Sequence, residues 1–341
     1  MKDISDYSLF GHNTFGIDVR CSRFLEFGTV EEAQAVAREL SSKPLPFLII
    51  GGGSNLLLTQ DFAGTVVHSA IKGISHEGNG ILRCGSGEHW DDVVAYCVEN
   101  NLYGAENLSL IPGDVGASAV QNIGAYGVEA KDLIESIEAV EIATAKVVTI
   151  DAGECRYAYR MSRFKEEWKD RYLITAVTYR LEAGRFEAKT EYGNINSELQ
   201  RQGITNPTAG QLRQTVIDIR RQKLPDPEVE GNAGSFFMNP VVDRKKFDAL
   251  ASQYPGMPHY TLPDGREKIP AGWLIDRCGW KGRSLGKAGV HDKQALVLVN
   301  RGGATGSEIV ALSDAIRKDV AEKFGIEIFP EVNILPTPKK D

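Results

Sequence analysis

The sequence lacks the marks that would send a chain to a metal, a membrane or a nucleic acid. Its five cysteines (Cys21, Cys84, Cys97, Cys155 and Cys278) are widely spaced. They form no CxxC pair and join no histidine at zinc-ligand spacing, so free thiols in a reducing compartment are expected, and no metal. The longest apolar runs, Phe47 to Ile50 and Ala295 to Val299, are strand-sized, far short of the roughly 20 residues of a membrane helix. The opening residues MKDISDYSLFGHNTFG contain no apolar core of signal-peptide length. Basic residues are outnumbered, 39 Lys and Arg against 46 Asp and Glu, for a net charge of -7. That balance argues against a nucleic-acid partner but leaves room for a local basic pocket facing a phosphorylated small molecule. A soluble, cytoplasmic protein with no membrane partner is expected.

Two familiar nucleotide-binding signatures are also missing. No GxGxxG opens a helix ahead of an acidic residue, so the Rossmann fingerprint is absent. The nearest approach to a P-loop, GRSLGK at Gly282 to Lys287, is one residue short and is followed by Ala288 rather than Ser or Thr. A bound dinucleotide would have to be held in another way.

What is present reads as a mixed chain. At 341 residues it is too long for one core, and two or three domains are expected. Apolar spacing predicts helices over 29–41, Trp90 to Asn100, 211–223 and 307–324. Thr29 and Glu32 suit a capping box at the first of these, and Pro225 and Pro227 end the third. Strands are predicted in PLPFLII, TVVHSA, ILRCGSG, 134–150 and 172–190, and in the alternating tail IEIFPEVNIL. Elements of both kinds without a regular βαβ alternation indicate an α+β protein, with boundaries near 65 and 210.

Two glycine-rich segments stand out. Gly51-Gly52-Gly53-Ser54-Asn55 follows an apolar strand, where bare main chain can approach a diphosphate and the Ser and Asn side chains can add hydrogen bonds. By itself this run fits a tight turn equally well. The second, Ile111 to Ser118 (IPGDVGAS) followed by Gln121 to Gly127 (QNIGAYG), is read as a long loop. It combines small residues with amide side chains to a degree that favours binding over structure.

These segments, with CGSG ahead of a helix, resemble the FAD-binding half of the UDP-N-acetylenolpyruvoylglucosamine reductase family. The resemblance continues in order through Tyr159-Arg160 in CRYAYRMSRFK, RRQKLPDP, GNAGSFFMNP, AGWLIDRCGWKG and FPEV, and Thr190-Glu191-Tyr192-Gly193 is similar to the tyrosine-loop subtype. Gly52, Met238 and Asn333 depart from residues common in relatives. The resemblance implies a fold of two small FAD-binding subdomains, of the vanillyl-alcohol-oxidase-like class, and a C-terminal α+β substrate-binding domain. The implied boundaries are 1–65 joined by 326–341, then 66–210, then 211–325.

The implied activity is NADPH-dependent, FAD-mediated reduction of the enolpyruvyl ether of UDP-N-acetylglucosamine to UDP-N-acetylmuramate, by a monomer. By carry-over, Ser235 is the proton donor and Arg160 and Glu331 sit about the substrate carboxylate. FAD would be held by Gly51, Gly52, Gly53, Ser54, Asn55, Ile111, Pro112, Gly113, Gly116, Ala117, Ser118, Gln121, Asn122, Gly124, Ala125 and Tyr126. Lys223, Asn239 and Gln294 would bind substrate, with Tyr159 beside them and Tyr192 closing over the nucleotide. Read locally, each catalytic candidate has a plainer explanation: a turn serine, a solvated strand glutamate, an arginine lying on an aromatic ring. Gln294 could equally make a strand-edge hydrogen bond. Two rivals remain, a flavin oxidase of the same fold and a sugar-nucleotide binder without catalysis. No histidine lies in either glycine segment to tether a flavin, and a bare binder would not need Arg160, Ser235 and Glu331 together.

Overall fold

Parallel strands need a crossover between them, and the first helix supplies one. A computed structural model describes residues 1–42 and 46–336. Strand Arg20–Phe27 runs into helix Val30–Ser42 and then strand Phe47–Ile50; both strands pair in parallel with Phe62–Ser69. Lys2–Ser8 completes a four-stranded sheet. The Glu32 N–H donates to Thr29 Oγ1 at 3.2 Å while the Glu32 carboxylate accepts from Gly28 N at 2.7 Å, so the expected cap forms. The helix buries Ala33, Val36 and Ala37 against Leu25, Phe27 and Val67. Pro44 and Leu45 of the expected strand lie outside the described residues.

The chain divides into two compact units. The first holds Met1–Tyr7, Cys21–Gly52 and Phe62–Gln222; the second holds Ser8–Arg20, Gly53–Asp61 and the chain from Lys223 on. Besides the parallel sheet, the first unit contains a five-stranded antiparallel sheet ordered Lys146–Asp151, Ile134–Glu141, Tyr172–Arg180, Ile81–Gly85, Ile74–Gly78. Helix Trp90–Glu99 lays Trp90, Val93, Val94 and Cys97 into the core beneath it, with Leu82, Ile137 and Tyr179.

In the second unit, Gly231–Ser235, Val297–Asn300, Ala288–Val290 and Ser284–Leu285 form an antiparallel sheet in that order. Helix Gly306–Phe324 covers its own stripe of Ile309, Leu312, Ile316, Val320 and Phe324. It opens on a Thr305–Glu308 capping box and ends at Gly325, whose φ of 59° suits a residue without a Cβ. The architecture is α+β, and among the described residues no helix is long and apolar enough to cross a membrane.

Three expectations need correction. Residues within IPGDVGASAVQ are not all loop: Val115–Gln121 is a helix, and its small residues reflect tight seating, since a Cβ at Gly116 would lie 3.0 Å from Ser86 Cβ. The tail alternates in polarity, yet only Asn333–Leu335 forms a strand, paired with Leu56–Leu58. Pro330 can donate no ladder hydrogen bond and makes a single bridge to Phe237. The stretch 172–190 keeps a strand only to Arg180, apart from the short pair Glu182–Ala183 with Leu102–Tyr103.

Asn300 is a hub of the second unit. Its amide nitrogen donates to Phe15 O at 2.9 Å, and its oxygen accepts from Gly302 N at 3.0 Å and Ala304 N at 2.9 Å. Asn300→Leu strands all three groups, and at about 1–3 kcal/mol for each unsatisfied group the loss should total at least about 3 kcal/mol. Urea unfolding measures it; an unchanged midpoint would show that water replaces the amide without cost.

Candidate active site

In the first unit the two glycine segments meet closely. A Cβ on Gly51 would lie 2.9 Å from Ala117 Cβ, and one on Gly52 would lie 3.1 Å from Gly113 Cα. A larger side chain at Gly51 would meet Ala117 Cβ, and one at Gly52 would meet the Gly113 backbone. Gly53, Ser54 and Asn55 belong to the second unit. There Gly53, at φ +65°, has the His12 carbonyl where a Cβ would sit, 2.0 Å away. Ile111 packs on the large core, and Pro112 precedes Gly113, whose carbonyl accepts from Trp90 N.

Several expected cofactor residues spend their side chains on the fold. The Ser118 hydroxyl is buried on Val115 O and Tyr179 OH. Asn122, fully buried at a φ of 47°, donates to Ala158 O at 2.8 Å and accepts from Lys131 N at 3.0 Å. Gln121 Oε1 accepts from Lys165 Nζ at 2.8 Å. What these positions leave for a ligand is main chain and shape.

Tyr159 and Arg160 form the tip of a two-residue turn closed by hydrogen bonds between Ala158 and Met161. The Arg160 guanidinium donates to Gly124 O at 2.7 Å and Asn122 O at 3.3 Å and lies 5.4 Å from the Tyr159 ring. A Cβ at Gly124 would lie 3.0 Å from Arg160 Nη1, Glu129 Cγ and Val128 O, so its neighbours would have to give; Gly124 pairs with Glu129, and Ala125 with Val128. Arg160 and Tyr126 both hold left-handed φ angles, 57° and 47°. Such bulky residues stay there only where their surroundings dictate it, at about 1–3 kcal/mol each. Tyr192 stands over Gly127, and both tyrosines line a cavity of about 790 Å³ with Tyr103, Arg185 and Lys189. A larger groove of about 990 Å³ in the second unit, among Phe10, Asp18, Asp61 and Glu230, contains none of the expected residues.

The second unit collects the rest. Ser235 ends its strand exposed, opposite Val297, and its hydroxyl makes no hydrogen bond among the described residues. Glu331 N–H donates to Phe236 O at 2.8 Å and Met238 N–H to Phe329 O at 2.9 Å, so the segment bearing Glu331 lies antiparallel to the one that follows Ser235. Asn55 fixes this segment: its carbonyl accepts from Asn333 N and Nδ2, each at 3.1 Å. The unusual Asn333 is therefore a structural contact. Asn239 Oδ1 accepts from Ala271 N at 2.9 Å, leaving its amide nitrogen to donate. Gln294 Oε1 accepts from Leu296 N at 3.4 Å, the local bond that its sequence position allowed. Lys223 is exposed at the end of helix Ala209–Lys223.

Comparison with known proteins places this arrangement. Residues 226–335 match the C-terminal domain model of UDP-N-acetylenolpyruvoylglucosamine reductase, and residues 22–151 match that of an FAD binding domain. A UDP-N-acetylenolpyruvoylglucosamine reductase of Bacteroides fragilis is 53% identical over 333 residues, 96% of this chain and 99% of the relative. The chain belongs to the UDP-N-acetylenolpyruvoylglucosamine reductase family. A Paraburkholderia phytofirmans member is 48% identical, with 96% of each chain covered. The crystal structure of the Thermus caldophilus family member, MurB, shares the fold with a TM-score of 0.68 at 22% identity, over 98% of both chains.

Sequence reasoning missed the charges beneath the family's glycine loops. Asp114 is buried, with its carboxylate bordering Gly51 and Gly52. His68 bridges it to Glu26: Nε2 is 3.5 Å from Asp114 and Nδ1 is 3.1 Å from Glu26. His89 also approaches Asp114, at 3.4 Å, and Lys2 pairs with Glu26 at 2.9 Å. Burial disfavours a charged His68, but the two carboxylates outweigh it and its pKa is raised. These residues come from separate segments, and no spacing rule links them. Because the folded pKa is raised, this contribution to stability is complete below the unfolded value of about 6.5 and is lost as pH rises through the folded value. His68→Asn should therefore lower the melting temperature most in mildly acidic buffer and least well above neutral pH. A deficit independent of pH would mean that His68 acts only by packing.

Proposed function

We propose that this chain is the FAD-dependent enzyme that reduces UDP-N-acetylglucosamine enolpyruvate to UDP-N-acetylmuramate with NADPH, in peptidoglycan precursor synthesis. The observation that carries the proposal is the seating of Ser235 and Glu331. The hydrogen bond from Glu331 N to Phe236 O pairs the main chain of Glu331 with the residue that follows Ser235, whose hydroxyl is exposed. Family membership supplies the substrate class. The enzyme acts on a small molecule, as a monomer of the cytoplasm. Residues 1–65 with 326–341 and residues 66–210 form its two FAD-binding subdomains, and 211–325 its substrate-binding domain.

The residues fit FAD. The close packing of Gly51-Gly52 on Gly113, Asp114 and Ala117 brings two glycine-containing stretches of main chain together, whose peptide groups would hold the diphosphate. Gly53, Ser54 and Asn55 continue that loop, and Gln121 to Tyr126 border the flavin. When bound, FAD supplies hydride transfer, from NADPH to C3 of the enolpyruvyl group. The protein's task is the other half of the addition. Negative charge develops on the substrate carboxylate as C3 gains hydride, and Arg160 and Glu331 stabilise it. Ser235 gives its hydroxyl proton to C2 and is reprotonated from solvent, so the double bond gains one hydride and one proton. Arg160 is fixed for its role by hydrogen bonds to Gly124 O and Asn122 O. Lys223, Asn239 and Gln294 contact the nucleotide, and Tyr159 and Tyr192 cover it.

Anaerobic visible spectra test the function. The flavin absorbance of the holoenzyme should bleach with NADPH and return when the enolpyruvyl sugar nucleotide is added. Bleaching that returns only with oxygen would sink the reductase reading in favour of an oxidase. Ser235→Ala should leave the bleaching rate unchanged and slow the return by about a thousandfold, within the range for loss of a general acid. Equal slowing of both steps would remove Ser235 as the donor.

A further inference from the structure

Arg220 lies on helix Ala209–Lys223, and nothing so far accounts for it. Its Nε is shut off from solvent and has no hydrogen-bond partner among the described residues. The one carboxylate nearby is already engaged. Arg213, two turns earlier on the same helix, holds Asp91 at 2.7 and 3.1 Å, and Leu110 N–H donates to the same group at 2.5 Å. The other charge acting on Arg220 is a second cation, Arg160, with the Tyr126 hydroxyl alongside. Burial pulls the Arg220 pKa down and Arg160 adds to this, against Tyr126 and Asp91.

Arg220 thus sits near a second guanidinium, and the one carboxylate acting on it is committed to Arg213. An unpaired buried cation costs stability, and a planar fork with a missing partner is suited to an oxyanion. We infer that Arg220 is a substrate-binding residue, the second guanidinium of an anion site shared with Arg160, and that it takes a carboxylate or phosphate oxygen of the sugar nucleotide. This rests on the function proposed above. It extends that function by naming a residue whose charge only the ligand balances.

The test uses the FAD-loaded protein and two ligands, the enolpyruvyl sugar nucleotide and UDP-N-acetylglucosamine, which lacks the carboxylate. Turnover by the unaltered enzyme checks the function independently; a protein that binds neither ligand overturns both the function and the role of Arg220. Arg220→Gln should raise the dissociation constant by about ten- to a hundredfold, as expected for loss of a charge-assisted hydrogen bond. Weakening confined to the enolpyruvyl ligand assigns Arg220 to the carboxylate, and equal weakening of both assigns it to the diphosphate. Arg220→Lys should recover part of the affinity, since it keeps the charge and loses the fork.

A stability measurement separates binding from architecture. Arg220→Met should raise the melting temperature of the ligand-free protein, because it removes a buried charge without a partner. Unchanged affinity for both ligands in Arg220→Gln, together with a lower melting temperature in Arg220→Met, would make Arg220 structural and overturn the inference.

Discussion

The contact of the Gly51-Gly52 main chain with Gly113 and Ala117 governs much of the first unit. Its separations of about 3 Å to a hypothetical Cβ leave no room for a side chain at Gly51 or Gly52. Once the two segments touch, Asp114 has nowhere to go but inward. A buried carboxylate then requires a partner, which His68 provides from the neighbouring strand, and Glu26 holds His68 from beyond. One steric condition therefore sets an electrostatic relay from the loop down to the parallel sheet. The same condition explains why Val115–Gln121 is built from small residues: a helix pressed against Ser86 has no room for larger ones.

Much of this was legible in the sequence, and the limits have physical causes. Helices at 30–42, 90–99, 209–223 and 306–324 announced themselves because each buries one stripe, and periodicity records burial on a single face. The glycine segments were visible as candidate binding surfaces because few other roles require so much bare main chain. The helix within the second segment was hidden by its own composition, since glycine and serine score poorly for helix while tight packing demands them. Side-chain direction was hidden as well: Ser118 and Asn122, expected to face a cofactor, turn their side chains into the protein. Arg220 looked like one member of a basic run, and only burial distinguishes it from the exposed Arg221.

Asparagine does much of the work that regular structure does elsewhere. Asn13 bonds to Leu9 O and Ile17 O and accepts from Ile17 N. Asn232 ties Glu230 O to Gly234 N, and Asn107 ties Tyr126 O to Lys189 O, each at 2.9 Å. In loops with no strand or helix to satisfy peptide groups, an amide with two N–H donors and an acceptor oxygen can join two segments through one short side chain. The Asn107 link matters most for the chemistry, because it ties the segment ending in Tyr126 to the one leading to Tyr192. The two tyrosines of the cavity are therefore held to a common base.

The parallel pairing of Asn333–Leu335 with Leu56–Leu58, reinforced by Asn55, joins residues almost 280 positions apart. On a ribosome, residues 56–58 emerge long before their partner strand is translated. During that interval three apolar residues that are buried in the finished fold, Leu56, Leu57 and Leu58, have an unfilled edge beside them, the kind of surface on which nascent chains associate wrongly. The first unit's sheets can form during translation, whereas the second must wait for nearly the whole chain. The strand Leu56–Leu58 therefore lacks this partner until residue 335 has been made.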